Sequence, residues 1–136
     1  IPVMGHLGLT PQAVHRLGYR RQATDAISQE RLLEQACTLE QKGCFSLVLE
    51  HVPAELACRV QQALTIPVIG IGAGDGCDGQ VRVTADLLGL TAKQPPFSPA
   101  LVDGRRLFID ALKGWVQQTR NNTLPTTESP QSAPDC

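Results

Sequence analysis

Aromatic residues are scarce, at 4% of 136 positions, which is too few to build a stacking platform for single-stranded nucleic acid. An excess of either charge is also missing: 12 lysines and arginines against 13 acidic residues leave a formal net charge of -1. The basic residues are scattered, with Arg20-Arg21 and Arg105-Arg106 as the longest runs, so neither nucleic acid nor an anionic membrane is an expected partner. The most apolar stretch, Ile66 to Ala73, is interrupted by Pro67, Gly70 and Gly72 and falls well short of the roughly 20 residues a spanning helix needs. The five cysteines, Cys37, Cys44, Cys58, Cys77 and Cys136, form no CxxC pair and no His/Cys spacing suited to zinc. Reduced thiols in a cytoplasmic protein are the simplest expectation. An initiator methionine, a charged leader and a cleavage signal are absent before Ile1-Pro2-Val3, so the chain reads as part of something longer.

What is present is a chain of 42% hydrophobic residues, enough for a buried core. Ile1 to Met4 suits a short buried strand, and Thr10-Pro11 supplies a helix cap with a first-turn proline, the helix ending at Gly18. From Ser28 to about Lys42, Leu32, Leu33, Ala36 and Leu39 recur at helical spacing, with Ile27 placed to staple Leu32 and Gly43 as the stop. Phe45 to Leu49 reads as a buried strand running into Glu50, His51 and Val52. Pro53 then opens a helix to about Leu64, with Leu56, Val60 and Leu64 on one stripe. Ile66 to Ile71 is a third strand, Gly72 to Gly79 a glycine-rich loop, and Gln80 to Thr84 a fourth strand. A short helical turn over Asp86 to Leu90, a proline-rich loop from Lys93 to Pro99 and a helix from Leu101 or Asp103 to Arg120 follow. The helix carries Leu107, Phe108, Ala111, Leu112, Trp115 and Val116 on one face. Residues 1–120 thus make one α/β unit, and 121–136, rich in Asn, Thr, Pro, Ser and Gln, is an expected disordered tail.

Strands separated mostly by helices imply parallel pairing. Such a chain holds about half the strands of an eight-stranded barrel, which typically takes about 250 residues. Element order alone allows an open doubly wound sheet equally well.

The glycine-rich loop fits the dinucleotide spacing G-x-G-x-x-G over Gly74 to Gly79, but it leads into a strand rather than a phosphate-binding helix. Its other readings are a tight inter-strand turn and a loop that closes over a substrate, with Gly72, Gly74 and Asp78 as candidate contacts. Glu50 ends an apolar strand, where parallel α/β folds place reacting groups. Desolvation there would raise its pKa and suit it to general-base work, while capping the next helix or pairing with an arginine is the structural alternative. His6, flanked by Gly5 and Gly8, sits at a strand end and reads either as a pocket residue or as a satisfied structural histidine. His15 falls on a helix surface. His51 should point away from Glu50 if the strand continues.

Four segments resemble the ketopantoate hydroxymethyltransferases in one collinear register. They are Ile1-Pro2-Val3-Met4-Gly5-His6-Leu7-Gly8-Leu9-Thr10-Pro11-Gln12, Leu47 to Ala57, Ile66 to Gly74, and Cys77-Asp78-Gly79-Gln80-Val81. The resemblance implies a (β/α)8 TIM barrel, of which this chain is about the second half, strands five to eight. It implies a cytoplasmic homo-oligomer, a decamer in the family, acting in pantothenate biosynthesis on 3-methyl-2-oxobutanoate. The co-substrate is 5,10-methylenetetrahydrofolate and the cofactor Mg2+. On that carry-over Glu50 matches the proton acceptor and His6 a histidine of the keto-acid pocket.

The family's magnesium-binding carboxylates, its substrate serine and its lysine belong to the first half of the barrel, so no metal ligand is expected in this chain. Arg82 replaces an apolar residue usual in the last strand, so its charge must reach the barrel mouth or find a partner. A nucleotide-binding open α/β domain and a non-catalytic truncated fragment are the rival readings.

Overall fold

The structure, a computed structural model, describes residues 1–123, except for the side chains of residues 16 and 17. Most of the expected tail, residues 124–136, therefore lies outside the described residues. The elements run β1 (Met4–Gly8), α1 (Pro11–Leu17), α2 (Ala26–Gln41), β2 (Ser46–Glu50), α3 (Ala54–Ala63), β3 (Val68–Ile71), β4 (Gly79–Gln80), α4 (Thr84–Leu87) and α5 (Gly104–Arg120).

The four strands pair in parallel in the order β1-β2-β3-β4. That order never reverses, whereas a doubly wound sheet turns back on itself at a switch point. Residues that face each other across the ladder share a side of the sheet. Leu47 and Leu49 of β2 lie in one core with Leu32 and Ala36 of α2, Leu56, Ala57 and Val60 of α3, and Val68 of β3. The alternate set therefore faces the other way: Val48 and Glu50 of β2, Met4, His6 and Gly8 of β1, and Ile69 and Ile71 of β3. The helices α2 and α3 cover one face of the sheet, and Met4 on the opposite face is exposed.

Local signals explain most element ends. Thr10 precedes α1 with Pro11 at its first position, and Gly18 closes it at φ +64. Helix α2 begins earlier than the apolar spacing suggests because Asp25 caps it: its Oδ1 accepts from the Ser28 amide at 2.9 Å, and Ser28 answers with its hydroxyl toward the Asp25 amide. This reciprocal box corrects the expected staple, since Ile27 becomes an early helical residue and is 84% exposed. Gly43, at φ +90, follows the helix end.

Two strand expectations also need correction. The first strand is Met4–Gly8 rather than Ile1 to Met4, and Ile1 and Val3 are exposed. An apolar run says that a segment wants burial, not where its ladder partners are. The partners set β1 by pairing Met4 with Ser46 and Gly8 with Glu50. The fourth strand is only Gly79–Gln80, because the chain leaves the ladder once the Val81 amide has donated to the Gly70 carbonyl, and Thr84 begins α4. Arg82 finds partners in the loop that follows, where Nη2 donates to the Ser98 hydroxyl and to the Pro99 carbonyl.

Helix α5 is capped by the Asp103 carboxylate, which accepts from the Arg106 amide. From residue 105 to 120 every residue of α5 is exposed, including the apolar side chains Leu107, Phe108, Leu112 and Trp115. No helix among the described residues is long and apolar enough to cross a membrane.

Candidate active site

Strand alternation brings two titratable side chains to one edge of the uncovered face. His6 is the third residue of β1 and Glu50 the last of β2, both on the side opposite α2 and α3. His6 Nε2 lies 3.1 Å from Glu50 Oε2, with side-chain exposures of 32% and 16%. The imidazole can donate to this oxygen when the carboxyl is ionised and accept from it when the carboxyl is protonated. The contact therefore survives gain and loss of a proton.

Burial raises the pKa of Glu50 above its ordinary 4.5, and the charge and hydrogen bond of His6 pull against that rise. A carboxylate held in this way, short of full desolvation and with one oxygen engaged, keeps the other for a reacting atom.

The chain around the pair is tightly fixed. The Leu9 amide donates to the Glu50 carbonyl at 2.8 Å, and the His51 amide donates to the Ile71 carbonyl at 2.9 Å. Gly8, at φ +92, lies so close over the Glu50 carbonyl that a Cβ would collide with it. The glycine beside His6 thus permits a close backbone approach, as its sequence setting suggests.

His51 does not continue the strand. Its φ is +50, a left-handed conformation that costs roughly 1–2 kcal/mol for a residue with a Cβ, and it turns the chain so that Val52 enters the core at 0% exposure. Its ring stacks on Phe97, with centroids 4.3 Å apart and planes tilted by 33°. Burial first, and then the Arg21 charge, hold its pKa below the ordinary value. Nothing in the sequence announced this contact, because it joins a strand end to a proline-rich loop some 46 residues away.

The three loop candidates separate. Gly72 and Gly74, at φ +63 and +78, line a cavity of about 360 Å³ with Ile71, Asp75, Gln80, Arg82, Phe97 and Pro99, and Ile71 is the ladder partner of Glu50. Asp78 lies elsewhere: one carboxylate oxygen accepts from the Val68 amide at 2.8 Å and the other from Gln61 at 2.9 Å. Val68 begins β3, at the end of the sheet opposite Glu50. Both bonds lower the pKa of Asp78, the amide bond more strongly, so Asp78 clips the loop to the sheet rather than contacting the pair. The glycine pattern ends in the strand Gly79–Gln80, with no helix beginning at Gly76, so the phosphate-binding arrangement of a dinucleotide fingerprint is not formed.

Among the described residues no group of three or more His, Cys, Asp or Glu could hold a metal. One carboxylate with one imidazole does not fit Mg2+, which demands a near-octahedral, oxygen-rich shell. Cys37, Cys44, Cys58 and Cys77 carry free thiols.

A family model described as ketopantoate hydroxymethyltransferase matches residues 1–127. A protein of Synechococcus sp. (strain CC9605) named 3-methyl-2-oxobutanoate hydroxymethyltransferase is 97% identical over 126 residues, covering 93% of this chain and 46% of that protein. Proteins of the same name from Synechococcus sp. (strain CC9902) and Prochlorococcus marinus (strain MIT 9303) are 71% and 66% identical, each covering 100% of this chain and 50% of their own length. The chain spans about half the length of the curated relatives it matches.

Proposed function

This chain belongs to the ketopantoate hydroxymethyltransferase family, and on that premise we propose that it forms the second half of a barrel that transfers a hydroxymethyl group to 3-methyl-2-oxobutanoate. Strands β1 to β4 then stand as strands five to eight. The unreversed strand order and the packing of both α2 and α3 on one face support this reading, since in a barrel the helices lie outside the closed sheet. The face bearing His6 and Glu50 becomes the interior, and the ends of β1 and β2 that carry the pair become the mouth where barrel enzymes do their chemistry.

In this reading Glu50 removes the proton from C3 of the keto acid, leaving an enolate. Water opens the methylene bridge of 5,10-methylenetetrahydrofolate, breaking both C–N bonds to give tetrahydrofolate and a one-carbon aldehyde that keeps the water oxygen; the enolate carbon bonds to that aldehyde carbon, and the resulting alkoxide takes the proton held by Glu50 to give ketopantoate. His6 holds the Glu50 carboxyl in one rotamer through Oε2 and faces the same pocket. Gly72 and Gly74 border the mouth one strand away. The described residues form no donor set for Mg2+, and this reading assigns its ligands to the other half of the barrel. Isolated residues 1–136 are then inactive, because that half would cover the open face and finish the site. Assembly into a cytoplasmic homo-oligomer would give the apolar side of α5 a surface to bury against.

The observation that carries the proposal is the 3.1 Å His6–Glu50 pair on the uncovered face, with burial raising Glu50. The test is exchange of the C3 proton for deuterium in the complete polypeptide, a reaction that needs no folate. Glu50→Gln should slow exchange by about 10²- to 10⁴-fold while the keto acid still binds. Exchange at the wild-type rate in that variant removes Glu50 from the role of base.

A further inference from the structure

Position 51 makes two demands that few side chains meet together. Its backbone is left-handed, at φ +50, where Asn, Asp and His are the enriched non-glycine residues and bulkier side chains are strained. Its side chain supplies an aromatic ring stacked on Phe97. Asn meets the first demand without a ring, and Phe meets the second at the cost of backbone strain; His satisfies both.

The ring does this without a matching polar contact on its buried side. His51 Nδ1 is buried and has no hydrogen-bond partner among the described residues, a cost that buried polar atoms ordinarily avoid. The ring's other polar contact is with the Tyr19 backbone, which works against the lowering by burial; with Nδ1 empty, the stack on Phe97 and the left-handed backbone are what this side chain satisfies in full.

The contacts close a circuit around Glu50. The His51 amide donates to the Ile71 carbonyl at 2.9 Å, and its carbonyl accepts from the Gln22 amide at 2.9 Å. Its ring rests on Phe97, and Phe97 fills the space over Gly72, where a Cβ would lie 2.7 Å from the phenyl ring. Gly72 follows Ile71, which is paired across the ladder with Glu50. The segment bearing Phe97 is itself held, since Arg82 donates to Ser98 and Pro99.

We propose that His51 is a positioning residue whose ring, docked on Phe97, fixes the turn after β2 and thereby the direction in which Glu50 enters the open face. It exchanges no proton with substrate. The inference rests on the reading of Glu50 as the base, and the experiment below separates the two.

In the complete polypeptide, C3 exchange, kcat and the KM for the keto acid are measured for Glu50→Gln, His51→Asn, His51→Phe, Phe97→Leu and the double variant His51→Asn/Phe97→Leu. Loss of the stack in His51→Asn should lower kcat and the exchange rate about tenfold with little change in KM. Phe97→Leu should do the same, and the double variant should be no slower than either single one, because both remove one interaction. His51→Phe, which keeps the ring but strains the left-handed backbone, should recover part of the loss with an unaltered pH profile. The positioning role is overturned if both His51 variants are as inactive as Glu50→Gln while Phe97→Leu runs at the wild-type rate, which would make the imidazole a chemical group. It is overturned equally if His51→Asn and Phe97→Leu both run at the wild-type rate. Should His51→Asn fail to fold, Phe97→Leu, whose backbone is not left-handed, carries the same test. Exchange retained in Glu50→Gln removes the base reading, while a failed His51 series beside an inactive Glu50→Gln removes only the positioning role.

Discussion

The two faces of the sheet are built from the same four strands and could hardly differ more. On one, Leu47, Leu49 and Val68 are fully buried under Leu32, Ala36, Leu56, Ala57 and Val60. On the other, Met4, His6, Val48, Glu50 and Ile69 stand with no helix of the core above them. Stability is written on the covered face and chemistry on the open one, and the period of two residues along a strand lets neighbours such as Leu49 and Glu50 serve different ends.

The largest effect expected from this division belongs to the covered face. Leu49→Ala should cost about 2–5 kcal/mol of stability, whereas Val48→Ala, one residue away on the open face, should cost far less in the isolated chain; thermal or urea unfolding of residues 1–136 compares them directly. Equal losses at the two positions would erase the contrast.

Gly8→Ala should come next. It strains a φ of +92 and drives a Cβ against the Glu50 carbonyl, and about 1–3 kcal/mol is the usual range for such strain. In the complete polypeptide it should also slow C3 exchange, because the end of β1 cannot move without moving His6 relative to Glu50. Unchanged exchange would show that the two strand ends are not mechanically tied.

The smallest effect concerns pH. The folded-state pKa of Glu50 is raised above its ordinary 4.5, so the folded chain holds this proton more tightly than the unfolded one. Stability at this site is therefore greatest below the ordinary value and declines as pH rises through the raised one. Glu50→Gln should consequently be slightly more stable than wild type at neutral pH, with the advantage vanishing below about pH 4.5. Unfolding curves at pH 4 and 7 decide it; an advantage at pH 4 alone would reverse the sign of the shift. A variant that gains stability as it loses activity is the expected sign of a site that sacrifices stability for reactivity.

Much of this division was legible in the sequence. The helical spacing of Leu32, Leu33, Ala36 and Leu39, and the stripe of Leu56, Val60 and Leu64, mark helix faces that the structure buries or partly buries. Glycines at 18 and 43 mark helix ends because their positive φ is a local requirement. Strand limits were less legible, since β1 and β4 are set by ladder partners far along the chain: Ile1 to Val3 is apolar yet meets the sheet only through the Val3 carbonyl, and the chain leaves it after the Val81 amide. The candidate pair was half legible. His6 and Glu50 could each be picked out at a strand end, but that they touch depends on the register of β1 against β2. The His51–Phe97 stack was invisible, because it arises from a left-handed turn that no local signal requires. Asp78 was misplaced because its neighbours in sequence lie near the loop while its carboxylate faces the far end of the sheet.

The most direct test of the account is the acidic limb of the C3 exchange rate against pH in the complete polypeptide, for wild type and His6→Leu. Burial lifts Glu50 and His6 lowers it, so the limb should fall above the ordinary value of 4.5 in wild type and move further up when His6 is removed. A limb at or below 4.5, or one that moves down in His6→Leu, would contradict a desolvated Glu50 held by His6 as the base.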